Sequence, residues 1–230
     1  ILGKRKSIED GKAVPPHNLV FTVVGAALLW FGWFGFNAGS ALAANGLAAN
    51  AFVVTHIAAS AAALMYMLME WMFHGKPTVL GTATGAVAGL VAITPAAGFV
   101  SVIPAILIGF IVSIVCYFFV VIVKSFFGYD DALDAFGVHG VGGTVGAILT
   151  GFFASRVVNP AGFDGLFFGN PKQVVIQLIA VGATMLYSFV ATLIIYKVLD
   201  VIMGVRVSEK VENVGLDLSE HQEQAYTVLN

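Results

Sequence analysis

Six long apolar stretches set the limits on what this chain can fold into. A helix that crosses a membrane takes about 20 mostly apolar residues. Stretches of that kind run from about 19 to 38, 50 to 73, 78 to 94, 102 to 126, 136 to 155 and 173 to 203. The first is entered through Pro15-Pro16-His17-Asn18, and Gly75-Lys76-Pro77 breaks the second from the third. The third and fifth are short or rich in small residues, which suits the inside of a bundle better than a lipid-facing wall. Only 10% of the residues are charged and 59% are hydrophobic, against about 25% charged in a soluble domain. The expected fold is therefore an all-α membrane protein with six transmembrane helices. Residues 19–203 form its membrane domain, 1–18 a preceding loop and 204–230 a polar tail.

Charge patterning orients these spans. With six of them the two termini share a side. Lys4, Arg5, Lys6, Lys12, Lys76, Lys124, Lys197, Arg206 and Lys210 fall on that side, and only Arg156 and Lys172 on the other. By the positive-inside rule the terminal side is cytoplasmic. The outer loops then run 39–49, 95–101 and 156–172. In the tail, Ser219-Glu-His-Gln222 fits a capping box, so a short helix is expected to start there. The net charge of −2 excludes a nucleic-acid role driven by basic excess. The single cysteine, Cys116, lies in an apolar run and reads as a small buried hydrophobe. The first residues, Ile1-Leu-Gly-Lys-Arg-Lys-Ser-Ile-Glu-Asp-Gly-Lys12, do not make a signal peptide. They suggest that the chain is part of something longer.

One stretch concentrates unusual chemistry. Asp134-Ala-Phe-Gly-Val-His139-Gly-Val-Gly-Gly-Thr-Val-Gly146 puts an ionisable ring at membrane depth and five glycines around it. A histidine there is costly, and its default reading is a pore or relay residue. Neutral imidazole accepts on one nitrogen and donates on the other, as a proton relay requires. The bland reading is a buried ring bonded to its neighbours. The glycines would let helices approach closely and hold the ring in a narrow interior. His56, in the second span, competes with it, but a helix-packing hydrogen bond is the better reading there. His17 and His74 sit at helix ends, and His221 lies in the tail.

A second stretch, Phe31-Gly-Trp33-Phe34-Gly-Phe36-Asn37-Ala-Gly-Ser40, ends the first span. Phe36 and Ser40 share a helix face. Ring and hydroxyl could form a cation-recognising mouth, although the pattern alone favours an interfacial aromatic belt. Asn37 more often bonds a neighbouring backbone. Asp130, Asp131 and Asp134 precede the fifth span, where carboxylates favour the helix dipole, so Asp131 and Asp134 read as structural. Glu70 could pair with a nearby lysine. No phosphate-binding loop, nucleophile elbow, paired carboxylates, metal set or cofactor motif is present, so neither an enzyme nor a bound cofactor is expected.

The combination of Trp33-Phe-Gly-Phe-Asn-Ala-Gly-Ser40, Asp134-Ala-Phe-Gly-Val-His-Gly-Val-Gly-Gly143 and the tail Gly215-Leu-Asp217…His221…Glu223…Ala225-Tyr226 closely resembles the ammonium transporter family. Pro16-His-Asn18, Glu70-Trp71 with Gly75-Lys-Pro77, and Gly85…Thr94-Pro95 add to the likeness. The resemblance spans essentially the whole chain and suggests a prokaryotic member in the cell inner (plasma) membrane. It implies a fold of eleven helices, with two inverted five-helix repeats and a long final helix. The six spans would be helices six to eleven, the second repeat plus the last helix. It implies a homotrimer with one pore per subunit. His139 would be the second histidine of a pore pair, Phe36 the inner phenylalanine of a gate, and Ser40 part of the outer ammonium site. Gly215, Asp217, His221 and Tyr226 would belong to a cytoplasmic tail controlled by PII signal proteins. The N-terminal half of such a transporter is absent from this chain, and residues 3–12 resemble the loop between repeats. The expected substrate is ammonium. It would be recognised as the cation, deprotonated, and conducted as ammonia with separate proton transfer. A sensor of the same fold and a passive gas channel of Rhesus type are the alternatives.

Overall fold

The computed structural model describes residues 2–5 and 15–226. Among the described residues, all regular structure is helical. Contacts divide the chain into two compact units, Pro16–Thr184 and the two ends, Ile1–Pro15 with Met185–Asn230.

The larger unit holds five helices, α1 (Leu19–Gly39), α2 (Gly46–His74), α3 (Val79–Ile93), α4 (Val102–Phe127) and α5 (Phe136–Phe153). The start of a sixth, α6 (Lys172–Met203), also belongs to it. All but α3 are long and apolar enough to cross a membrane, so five spans are full length and the third expected span is a shorter helix of 15 residues. Its side chains explain the difference. Gly81, Gly85, Ala86, Ala88, Gly89, Leu90, Val91, Ala92 and Ile93 of α3 are all buried, so it packs against protein rather than lipid. This is where small residues belong in a membrane bundle.

Capping side chains fix the helix starts. Asn18 accepts from Phe21 N at 3.0 Å and opens α1. Asn45 accepts from Leu47 N and Ala48 N, each at 3.0 Å, and starts α2 at Gly46. That is earlier than the onset expected at 50, because the cap and not the hydropathy sets the first turn. Thr78 accepts from Gly81 N at 2.9 Å and opens α3. Left-handed glycines stop α2 at Gly75 (φ 75°) and α4 at Gly128 (φ 56°).

The core lies where α2, α3 and α4 meet. Val54, Ala58, Ala88, Leu90, Ile93, Ile108, Val112 and Cys116 are fully buried there. Close approach needs glycine at particular points. A Cβ on Gly89 of α3 would lie 2.6 Å from the Ala58 carbonyl oxygen, and one on Gly109 of α4 would lie 2.5 Å from the same atom. Several polar groups in and beside this core are paired, as burial favours. Asn37 donates to Thr55 Oγ1 at 2.9 Å, Ser113 to the Ala62 carbonyl at 2.8 Å, and Trp33 Nε1 to Thr94 Oγ1 at 2.8 Å. Outside the core, large apolar side chains of α1, α4 and α6 are exposed, including Phe21, Leu28, Phe31, Ile103, Ile179 and Phe189. That surface suits lipid.

The smaller unit contains the rest of α6 and two short helices, α7 (Glu209–Val214) and α8 (Leu216–Glu220). Gly215, at φ 100°, separates them. A short helix is present near the end of the tail, as expected, but it does not start at Ser219. Ser219 sits inside α8 and donates to the Gly215 carbonyl at 2.7 Å, while the side chain that caps a tail helix is Ser208, accepting from Val211 N. Arg206 donates to the Leu2 and Lys4 carbonyls and pairs with Glu212 at 3.1 Å. Of the loop expected at 1–18, residues 1 and 6–14 lie outside the described residues, as do 227–230 of the tail.

Candidate functional site

The start of α5 is built from an acid cap, a π-turn and a glycine face. Asp131 accepts from the backbone N–H groups of Ala135 (2.9 Å), Phe136 (2.9 Å) and Gly137 (3.3 Å). Three donors of the first turn are thereby satisfied by one carboxylate. Asp134 takes a left-handed conformation, φ 54°, just before the helix, and its carboxylate accepts from Lys124 Nζ at 2.6 Å. Burial pushes the Asp134 carboxyl above the usual carboxylate range, although the hydrogen bond and charge of Lys124 pull the other way. Tyr129 packs edge-on against Phe136 at 5.9 Å. Its hydroxyl is buried with no hydrogen-bond partner, and burial raises its pKa.

The first residues of α5, Phe136–Gly140, are π-helical, and so is Phe118–Val123 of α4. The two π-turns touch: a Cβ on Gly137 would come within 2.7 Å of Val120 Cγ2. Further along, Gly142 faces Cys116, Val112 and Val91, and a Cβ on Gly146 would collide with the backbone of Ala92. Gly137, Gly142 and Gly146 are buried. These glycines make one packed side of α5, against α3 and α4.

His139 is on another side. Its ring is exposed, as are Phe136 and Gly140. The expectation of a histidine gripped in a narrow interior is thus not met within this chain, because the glycines pack in a different direction. Phe36, at 62% exposed, and Ser40 are likewise open. Ser40 Oγ donates to the Phe36 carbonyl at 2.7 Å, and the Trp33 and Phe36 rings meet edge-on at 6.0 Å. His56 is exposed too. Its ring lies against Trp30 (5.4 Å) and Phe34 (6.1 Å) rather than in a helix-packing hydrogen bond.

Other expectations shift in detail. Asn37 bonds a side chain, Thr55, not backbone. Among the described residues Glu70 pairs with no lysine, and it accepts from Thr78 N at 2.6 Å and Thr78 Oγ1 at 2.9 Å. His74 Nδ1 shares a hydrogen bond of 3.1 Å with the Tyr117 hydroxyl. In the tail, His221 is exposed, Tyr226 is 47% exposed, and the Asp217 carbonyl accepts from Glu223 N at 3.0 Å. The residues that spacing did not reveal are Lys124, which ties α4 to the head of α5, and the paired π-turns. A basic residue at the end of an apolar run was the available signal for the first. Among the described residues, no cluster of His, Cys, Asp and Glu could hold a metal ion.

Comparison with known proteins places this geometry. A family model for the Ammonium Transporter Family matches residues 1–226. An ammonium transporter of Bacillus subtilis is 52% identical over 226 residues, which are 98% of this chain and 55% of the relative. The crystal structure of Saccharomyces cerevisiae Mep2 superimposes with a TM-score of 0.84 at 36% identity, over 90% of this chain and 48% of that one. A solved sensor Amt protein does so with a TM-score of 0.85 at 28% identity, over 95% and 54%. The chain spans about half the length of the relatives it matches. With a family match along nearly its whole length, this multi-pass membrane chain belongs to the ammonium transporter family.

Proposed function

We propose that this chain is the second half of an ammonium-conducting pore, completed by a preceding N-terminal half and assembled as a homotrimer. The observation that carries the reading is His139, an ionisable ring on an apolar helix whose packed side is rich in glycine, with the ring itself left open. Membership of the family, and relatives named as ammonium transporters, support the substrate.

Burying an isolated ion in an apolar pore is very expensive. A pore lined by Phe36 and His139 therefore favours the neutral molecule. Ammonium is recognised at the outer mouth, with Ser40 as part of the site, and is deprotonated there. Ammonia passes along the pore while the proton travels separately, with His139 as relay and hydrogen-bond partner. Potassium has no proton to lose, so this route rejects it despite similar size. Net movement is one charge per ammonium. Phe36 excludes water and ions. Asp131 and Asp134 hold the helix start.

The excess of basic loop residues puts both ends of the chain on the cytoplasmic side of the cell inner membrane. Residues 1–18 then form the loop between repeats, 19–203 the membrane domain and 204–230 the tail. Gly215, Asp217, His221 and Tyr226 of the tail are the candidates for control by a PII signal protein.

The test is His139→Ala in the complete protein, reconstituted in liposomes and recorded electrically on a supported membrane. Loss of ammonium current or of potassium exclusion is expected; unchanged current with unchanged exclusion overturns the relay. A neutral gas channel would give no current in the unsubstituted protein. One observation favours a second reading, the likeness to a solved sensor Amt protein. A sensor would bind ammonium in the same assay without carrying current.

A further inference from the structure

The His139 ring is exposed, so its direction is set by the backbone that carries it. That backbone is the π-turn Phe136–Gly140. A π-turn closes on the fifth residue rather than the fourth. Relaxing it to an α-turn would re-aim side chains by up to about 100°, the rotation of one helical residue. The turn therefore needs holding, and three attachments do so. Asp131 takes the N–H groups of Phe136 and Gly137 in the turn and of Ala135 just before it. Gly137 rests on Val120, inside the π-turn of α4. Lys124, the first residue after that α4 turn, bonds Asp134 at 2.6 Å.

The third attachment is the one that fixes an awkward conformation. Asp134 is a non-glycine residue at positive φ, which is uncommon and persists only when the surroundings impose it. Its carbonyl accepts from Val138 N at 2.8 Å, the residue before His139. A change at Asp134 is thus passed along one hydrogen bond to the residue that precedes the histidine. The ion pair is part-buried, with 27% and 25% of the two side chains exposed, so water screens it less than a surface pair.

We propose that Lys124 is a positioning residue for His139: its ion pair with Asp134 locks the π-turn that aims the imidazole. This rests on the reading of His139 as the relay, but the positioning itself is measurable without transport. In the complete protein with 15N-labelled histidine, the His139 imidazole signals are assigned by their loss in His139→Ala. Lys124→Met should displace those signals and leave the His221 signals, in the tail, in place. Ammonium current should fall about tenfold or more, as for misplaced reacting groups, with the half-saturating concentration within about twofold because Ser40 is untouched. Lys124→Arg keeps a charge-assisted bond and should keep the native signals and current. Native His139 signals in Lys124→Met overturn the proposal, and so does equal displacement in Lys124→Arg. If Lys124→Met does not fold, Asp134→Asn decides in its place: displaced His139 signals support the lock, native signals overturn it. Should His139→Ala itself leave current and potassium exclusion intact, the relay reading falls while the imidazole signals still judge the lock.

Discussion

The two sides of α5 follow opposite rules. On one, Gly137, Gly142 and Gly146 bring the backbone against Val120, Cys116 and Ala92. On the other, Phe136, His139 and Gly140 are exposed and make little packing within this chain. Substitutions on the first side act on folding, because there is no space for added atoms. Substitutions at His139 on the second side should act on the proposed pore chemistry, because its exposed ring is not part of the packed core of this half. The same short stretch thus holds a packing motif and the proposed relay residue on different sides of one helix.

The comparison breaks most sharply at Gly146. Gly146→Val should push α5 off α3, costing roughly 2–4 kcal/mol, read as a lower unfolding midpoint and less protein in the membrane. A variant as stable as the parent would mean that the helices separate easily. Next comes His139→Ala, expected to remove charge-coupled uptake while shifting stability by less than about 0.5 kcal/mol. A large fall in its unfolding midpoint would show that the ring packs in the complete protein as Gly146 does here. Asp131→Ala leaves three N–H groups of the first turn without their acceptor and should cost about 1–2 kcal/mol. Hydrogen exchange should then speed up at Ala135, Phe136 and Gly137 ahead of the rest of α5; uniform exchange would count against a local cap. Gly140→Ala is the mildest. A Cβ there lies 3.1 Å from the Phe136 ring, which can turn aside, so stability should change by less than about 0.5 kcal/mol. If Gly140→Ala proved as damaging as Gly146→Val, the two sides would not differ.

Sequence reading recovered the helices because hydropathy over about 20 residues is a strong signal. It lost precision where single side chains decide. Asn45 begins α2 four residues before its apolar run, and Ser208 rather than Ser219 caps a tail helix. The π-turns were invisible, since a period of 3.6 describes apolar faces and says nothing of which carbonyl a given N–H selects. The exposure of His139 within this chain has a different origin. Glycine next to histidine in sequence is not glycine around histidine in space, because successive helical residues point to different sides. For Phe36 and Ser40 the pattern allows a cation-recognising mouth but favours an aromatic belt, so the roles proposed for them rest on family resemblance.

The Ala58 carbonyl is approached by Gly89 from α3 and by Gly109 from α4. One oxygen therefore acts as a dowel between two neighbours. Helices joined this way cannot slide along one another without first moving apart, since each glycine notch admits the carbonyl at a single height. Packed interiors yield in discrete steps rather than by continuous deformation. The trio α2, α3 and α4 should consequently travel as a single plate in any working motion.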